Sequence, residues 1–243
     1  MKVKCKAITF DLWFTLIWLD DKIYREYTNN RVKSIYDTLS KYFKNISWND
    51  VLAAYNETSN LRMLAHPSKV ISTILQKLNV KLNEEEFNRL VNNYIRASES
   101  VLPYLNVEAP NVLNKLWEKG VRLGIITTTS FTSNSLWKIL DRLSISKYFK
   151  VIVSSCEVGI AKPNPEIFNL TLKLLGVDKS ETIHVGDNYD DDIVGAKNVG
   201  ITPVLYRGLW SKYRSYPRAT WRRYDKDSSI IIIDNLNQLL SLI

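Results

Sequence analysis

Four short polar clusters in this chain each follow an apolar run. They are Asp11-Leu12-Trp13-Phe14-Thr15, Thr127-Thr128-Thr129-Ser130, Lys162 within Gly159-Ile160-Ala161-Lys162-Pro163, and Gly186-Asp187-Asn188-Tyr189-Asp190-Asp191-Asp192. A carboxylate, hydroxyls, an ammonium and an acidic group brought to one point suit phosphoryl transfer, which needs in-line positioning and neutralisation of charge more than covalent help. Asp11 would attack as a carboxylate nucleophile while Lys162 and a divalent cation hold the oxygens. Mg²⁺ prefers hard oxygen ligands and keeps several waters, so Asp11 and Asp187 are its direct candidates. Asp11, Asp187, Asp191 and Asp192 would repel one another in one crevice unless a cation offset them, which favours bound metal.

Positioning these groups requires strands. Lys6 to Phe10 is a short, partly β-branched run that delivers Asp11 at its tip, and Val121–Ile126, Val151–Ser154, Thr182–Val185 and Thr202–Tyr206 repeat the pattern. Helical spacing over Asn111–Lys119, Asn134–Leu143, Pro165–Leu175 and Asp191–Val199 separates them, with glycine stops at Gly120, Gly176 and Gly200. Ile230–Ile233 reads as a sixth, edge strand and Leu236–Leu242 as a closing helix. Alternating strand and helix implies an α/β protein with a doubly wound parallel sheet, whose strand tips converge on one crevice. The stretch from Ile17 to Leu102 breaks the alternation: helical patterns at Lys22–Phe43, Ser47–Ala65, Pro67–Leu78 and Asn83–Ser100, and no convincing strand, describe a helical lid over those tips.

Composition sets limits rather than a function. The 243 residues are 45% hydrophobic and 24% charged, ordinary for a globular chain. The start of the chain lacks a secretory pattern and no segment has membrane-spanning length, so the expectation is a cytoplasmic protein with no membrane partner. Cys5 and Cys156 have no metal-ligand spacing and read as small packed residues or inert thiols. The net charge of +8 suits an anionic substrate or weak attraction to nucleic acid and does not choose between them. Trp210, Tyr213, Tyr216, Trp221 and Tyr224 interleave with basic residues across 207–226. That segment reads as a surface loop packing on the core, or on a second subunit in a homodimer, ahead of a nucleic-acid strip.

In order and context the four clusters resemble the four motifs of the haloacid dehalogenase superfamily, over essentially the whole chain. The most specific pieces are Ile8-Thr9-Phe10-Asp11, Ala161-Lys162-Pro163-Asn164-Pro165-Glu166-Ile167-Phe168, and His184-Val185-Gly186-Asp187 followed by Asp192 and Gly195-Ala196. The resemblance implies a Rossmann-like core over residues 1–16 and 103–243 with an inserted all-helical cap domain of the first class over 17–102. It implies Asp11 as nucleophile forming an aspartyl intermediate, Thr127 hydrogen-bonding the phosphoryl oxygens, and Lys162 stabilising charge. It also implies Mg²⁺ on Asp11, Asp187 and the backbone carbonyl of Trp13, with Asp192 or Asp191 assisting through water.

One departure matters. Phosphatases of this family carry a second aspartate two residues after the nucleophile as general acid and base; here that place holds Trp13, and the usual glycine after it is Phe14, which should alter the turn. Losing acid–base help removes about 10² to 10⁴ in rate. Haloacid dehalogenases also place an aromatic residue there, since a departing halide needs no proton, but they lack the acidic fourth motif that is complete here. A Mg²⁺-dependent phosphatase or phosphotransferase on a small phosphorylated substrate therefore leads. A 2-haloacid dehalogenase acting on a halogenated substrate, and a very slow or non-catalytic binding protein, are the alternatives. Trp13 and Phe14 would wall a substrate pocket with Thr128, favouring a substrate with an apolar body. Asp20 and Asp21 could supply the missing acid, but acidic pairs usually lie in water. His184 reads as a packed core residue and His66 as a cap surface residue.

Overall fold

The computed structural model describes residues 5–209 and 230–243. Strand β1 (Ala7–Phe10) is wholly buried and runs into Asp11; β2 (Ile17–Trp18) then leads out to helices α1 (Asp21–Leu39), α2 (Trp48–Glu57), α3 (Ser59–Leu64), α4 (Pro67–Lys77) and α5 (Glu84–Glu99). The return is β3 (Tyr104–Leu105), antiparallel to β2. Beyond it come α6 (Ala109–Glu118), β4 (Arg122–Thr127), α7 (Ser133–Arg142), β5 (Phe149–Ser154), α8 (Ser155–Val158), α9 (Pro165–Leu175), β6 (Thr182–Gly186), α10 (Gly195–Val199), β7 (Thr202–Tyr206) and β8 (Ile231–Ile233).

A strand buried on both faces needs parallel neighbours covered by helices. The sheet supplies them in the order β5-β4-β1-β6-β7-β8, with every neighbouring pair parallel. Phe10 lies level with Ile125 on one side and Val185 on the other, so Asp11 emerges between the tip of β4, ending at Thr127, and the tip of β6, ending at Gly186. Register alone thus brings the first, second and fourth clusters together.

Two apolar cores are present. Ile8, Phe10, Leu123, Ile125 and Val185 belong to the sheet's core, while Val32, Ile35, Val51, Ile71, Ile74, Leu90 and Tyr94 form a separate one among α1–α5. The helices therefore stabilise one another rather than depending on the sheet alone.

Three sequence expectations need correction. The stretch Ile17–Leu102 does contain a strand, β2; two residues are too few for periodicity to reveal it, and only the pairing with Tyr104–Leu105 defines it. The single helix expected over Ser47–Ala65 is broken at Thr58, whose hydroxyl donates to the Tyr55 carbonyl, an acceptor that the Arg62 guanidinium also takes. The helix expected over Asp191–Val199 opens instead with a wide π turn over Tyr189–Val194. Its cause is local: Asp192 folds back so that Oδ2 accepts from the Asn188 backbone N–H at 3.0 Å. Leu236–Ser241 is a 3₁₀ segment, and most of the basic aromatic segment 207–226 lies outside the described residues.

Candidate active site

Lys162 links the clusters. Its Nζ donates to Asp11 Oδ1 at 2.5 Å and to Asp192 Oδ1 at 2.6 Å, with all three side chains buried. The loop that carries it is tied to the second cluster, since the Lys162 backbone N–H donates to the Thr128 hydroxyl at 3.2 Å. Carboxylate oxygens of Asp11, Asp187 and Asp192 lie within 4.8 Å of one another, close enough to share one cation. Gly186 is required there: a Cβ would fall 2.2 Å from Asp192 Cγ.

The charges are unequal. Three carboxylates face one ammonium, so the cluster is short of positive charge by about two, the deficit a divalent cation closes. Burial, opposed by Lys162 and reinforced by Asp192, pushes the Asp11 carboxyl up to about 7. Burial, with Asp11 and Asp192 beside it, likewise raises Asp187 well above the ordinary carboxylate range. Asp192 goes the other way: burial works against its charge, but Lys162 and His184 outweigh burial and hold it low. Lys162 is held protonated by its two carboxylate partners despite burial.

His184 is buried as expected, but it also reaches the site, which the sequence did not reveal. Its Nε2 lies 3.2 Å from Asp192 Oδ1 and its Nδ1 2.9 Å from the Thr9 hydroxyl. Burial lowers its pKa. The neutral ring then donates from Nε2 to the carboxylate, and Nδ1 accepts from Thr9. Strand alternation hid this contact: the same side of β6 that packs His184 also faces the turn returning Asp192. Asn188 was likewise missed; its side chain caps the π turn and meets Asp191, with Nδ2 donating to Asp191 Oδ2 at 3.2 Å. Asp191 thus sits on the turn, outside the three-carboxylate cluster.

The opposite wall is aromatic. Trp13 is half-buried; its Nε1 donates to the Thr129 hydroxyl at 3.2 Å and its ring lies 5.3 Å from that of Phe131. Phe14 adopts φ +63°, the left-handed conformation that favours glycine, and its N–H donates to Ile17 O at 2.7 Å. A bulky residue is therefore held in a backbone conformation that glycine adopts without strain. Thr127 is completely buried and its hydroxyl has no hydrogen-bond partner among the described residues. A buried, unmatched donor at a strand tip is what an incoming oxygen would satisfy. Asp20 does not approach this wall in its contacts: it caps α1, accepting from the Ile23 backbone N–H at 2.8 Å, and meets the Tyr104 hydroxyl. The thiols of Cys5 and Cys156 are pushed by burial up to about 11, as suits packed residues.

Known proteins resemble this chain in sequence and in fold. A glyceraldehyde 3-phosphate phosphatase of Pyrococcus abyssi is 42% identical over 105 residues, 43% of this chain and 41% of that protein. The chain spans about half the length of such relatives, from 41% to 62%. The pyrophosphatase PpaX of Bacillus mycoides is 28% identical over 247 residues, covering 99% of this chain and 98% of the relative. The crystal structure of a 2-haloacid dehalogenase from Pseudomonas syringae superposes with a TM-score of 0.70 at 21% identity, covering 98% and 97% of the two chains, a likeness of fold. The pattern of the haloacid dehalogenase-like hydrolases matches residues 29–205, well over half of the sequence. With its sheet order, its Asp11–Lys162–Asp192 contact and that match, the chain belongs to the haloacid dehalogenase-like hydrolases.

Proposed function

We propose that this protein is a Mg²⁺-dependent phosphatase or phosphotransferase acting on a small phosphorylated metabolite, with Asp11 as the nucleophile. The observation that carries this reading is the group of three close carboxylates matched by a single ammonium. Asp11, Asp187 and the backbone carbonyl of Trp13 would hold the ion, with Asp192, which joins the cluster where Asp191 does not, assisting through water. Bound Mg²⁺ would supply charge neutralisation beside the transferring group. Asp11 attacks phosphorus, the bond to the leaving oxygen breaks, and an acyl phosphate forms; water then cleaves it. Lys162 neutralises the equatorial oxygens and keeps Asp11 aligned, while the free hydroxyl of Thr127 donates to one of them. Thr128 fixes the Lys162 loop and borders the substrate, and Trp13 and Phe14 wall its non-reacting part. The helices of residues 17–102 act as the cap.

Trp13 cannot protonate the leaving oxygen or activate water, so both steps proceed without acid–base help. Substrates with good leaving groups, such as acyl or aryl phosphates, are therefore favoured over alkyl phosphates. Relatives named for glyceraldehyde 3-phosphate, itself an alkyl phosphate, support a small phosphorylated metabolite as the substrate class, and such an ester would turn over slowly here without acid–base help. Trp13 also favours one other reading, displacement of halide from carbon, because halide leaves unprotonated.

One assay separates the two. Phosphate release from para-nitrophenyl phosphate should require Mg²⁺, stop with chelator, and fall at least about 10³-fold in Asp11→Asn. Halide release from a short 2-halo acid in chelator, with no phosphate release under any metal, would overturn the phosphatase reading in favour of the dehalogenase.

A further inference from the structure

Arg31, on α1, is 1% exposed, yet it forms no ion pair among the described residues. Nε donates to Ser98 Oγ at 2.7 Å, Nη1 to Ser130 Oγ at 2.9 Å and Nη2 to the Ser130 carbonyl at 2.9 Å. The guanidinium lies over the rings of Tyr27, Tyr94 and Phe131, at 4.3, 4.7 and 5.1 Å from their centroids. Burying a cation without a counter-charge is unfavourable in itself, and an apolar side chain of similar volume would fill the space without the desolvation penalty. Packing alone therefore does not account for the charge.

Its destination does. Two of the three hydrogen bonds leave the helical cap and end on Ser130, in the turn that follows Thr127. The Tyr27 hydroxyl, also from α1, meets Ser130 Oγ at 2.9 Å. A second link comes from the end of α3: the Met63 carbonyl accepts from Ser155 Oγ, which accepts from the Thr129 backbone N–H. The cap thus grips the turn after Thr127 at Ser130 and, through Ser155, at Thr129.

We propose that Arg31 is a positioning residue for this turn, a cap-borne fork that fixes Ser130 and so sets Thr127 for a phosphoryl oxygen only while the cap is seated on the sheet. The role given to Thr127 rests on the phosphatase reading; the link between Arg31 and the turn does not.

Arg31→Met and Arg31→Lys, each made in the full chain, test this through thermal unfolding, deuterium exchange at the amides of residues 128–131 without substrate, and steady-state hydrolysis of para-nitrophenyl phosphate with Mg²⁺. Arg31→Met should melt within a few degrees of the parent or above it, while those amides exchange at least about 10-fold faster. Its kcat should fall at least about 10-fold with KM changed less than about 3-fold, because a misplaced turn harms the reacting geometry more than binding. Arg31→Lys, which can restore one donor to the Ser130 carbonyl, should recover part of both losses. Unchanged exchange, or faster exchange with unchanged kcat, would overturn the proposal, as would a lower melting temperature with normal kcat in the folded fraction. Should the parent release no phosphate, the phosphatase reading fails, and the exchange measurement still decides whether Arg31 fixes the turn.

Discussion

The two sides of the site are built on different principles. On the β6 side the groups are charged and linked: Asp192 takes Lys162, His184 and the Asn188 N–H, and Lys162 takes Asp11 in turn, with Asp187 beside them adding to the excess of negative charge. On the β1–β2 side the groups are aromatic: Trp13 on Phe131, and Phe14 held at φ +63°. Under the phosphatase reading the first side would hold an ion and an anion, while Trp13, Phe14 and Phe131 on the second offer no side chain that moves a proton. Charge placement and proton transfer would then be separable in this architecture.

The charged side can be broken most severely at Lys162. Lys162→Met leaves Asp11 and Asp192 facing each other without the ammonium, and kcat should fall about 10² to 10³-fold, as expected for loss of a donor to developing charge. Steady-state assay with saturating Mg²⁺ checks this; a loss under about 5-fold would show that the ammonium is incidental.

On the aromatic side, Trp13→Asp places a carboxylate where the phosphatase reading needs a proton donor, and on that reading kcat should rise about 10-fold or more, with a bell-shaped pH profile absent from the parent. An unchanged or lower kcat would mean that the indole does something other than occupy the acid's place.

A smaller effect separates the two sides without turnover. Asp11, raised to about 7, and Asp187, also raised, bind protons in the folded state that the unfolded chain has released. The share of metal-free stability carried by these two protons should therefore be fully present below about pH 4 and decline as pH rises from there through about 7, by about 1.4 kcal/mol per pH unit for each proton, while Asp192 and His184, both held low, contribute in the opposite sense on the acid side of their unfolded values. Mg²⁺ should remove this decline, and its stabilising effect should grow over the same window. Chemical denaturation at several pH values with and without Mg²⁺ provides the test; metal-free stability that rises over that window would contradict the charge balance described above.

The smallest effect belongs to Asp20. Asp20→Ala should lower stability by about 1 kcal/mol through loss of the α1 cap, with activity changed less than about 2-fold. A large loss of activity would instead place Asp20 in proton transfer.

The sheet and the charged cluster were legible because each motif residue follows a strand, and parallel register then fixes which tips adjoin. Asp11, Lys162 and Asp192 could be read that way. What stayed hidden depends on contacts distant in sequence. His184 alternates inward on β6, and nothing local says that Asp192 curls back to it. Arg31 looks like one more basic residue on an amphipathic helix; its burial against Ser130 is set by how α1 packs on the turn after β4. Strand β2 is too short to carry a pattern, and Phe14 stands in a left-handed turn that its side chain alone would argue against.

The central claim is that Asp11 accepts the phosphoryl group and that Trp13 leaves the resulting acyl phosphate without a base to hydrolyse it. Mass spectrometry of the protein quenched in acid after mixing with acetyl phosphate and Mg²⁺ addresses this directly. A phosphoryl adduct on Asp11 should accumulate in the parent, be absent in Asp11→Asn, and decay faster in Trp13→Asp. No adduct in any of them, or an adduct on another residue, would contradict it.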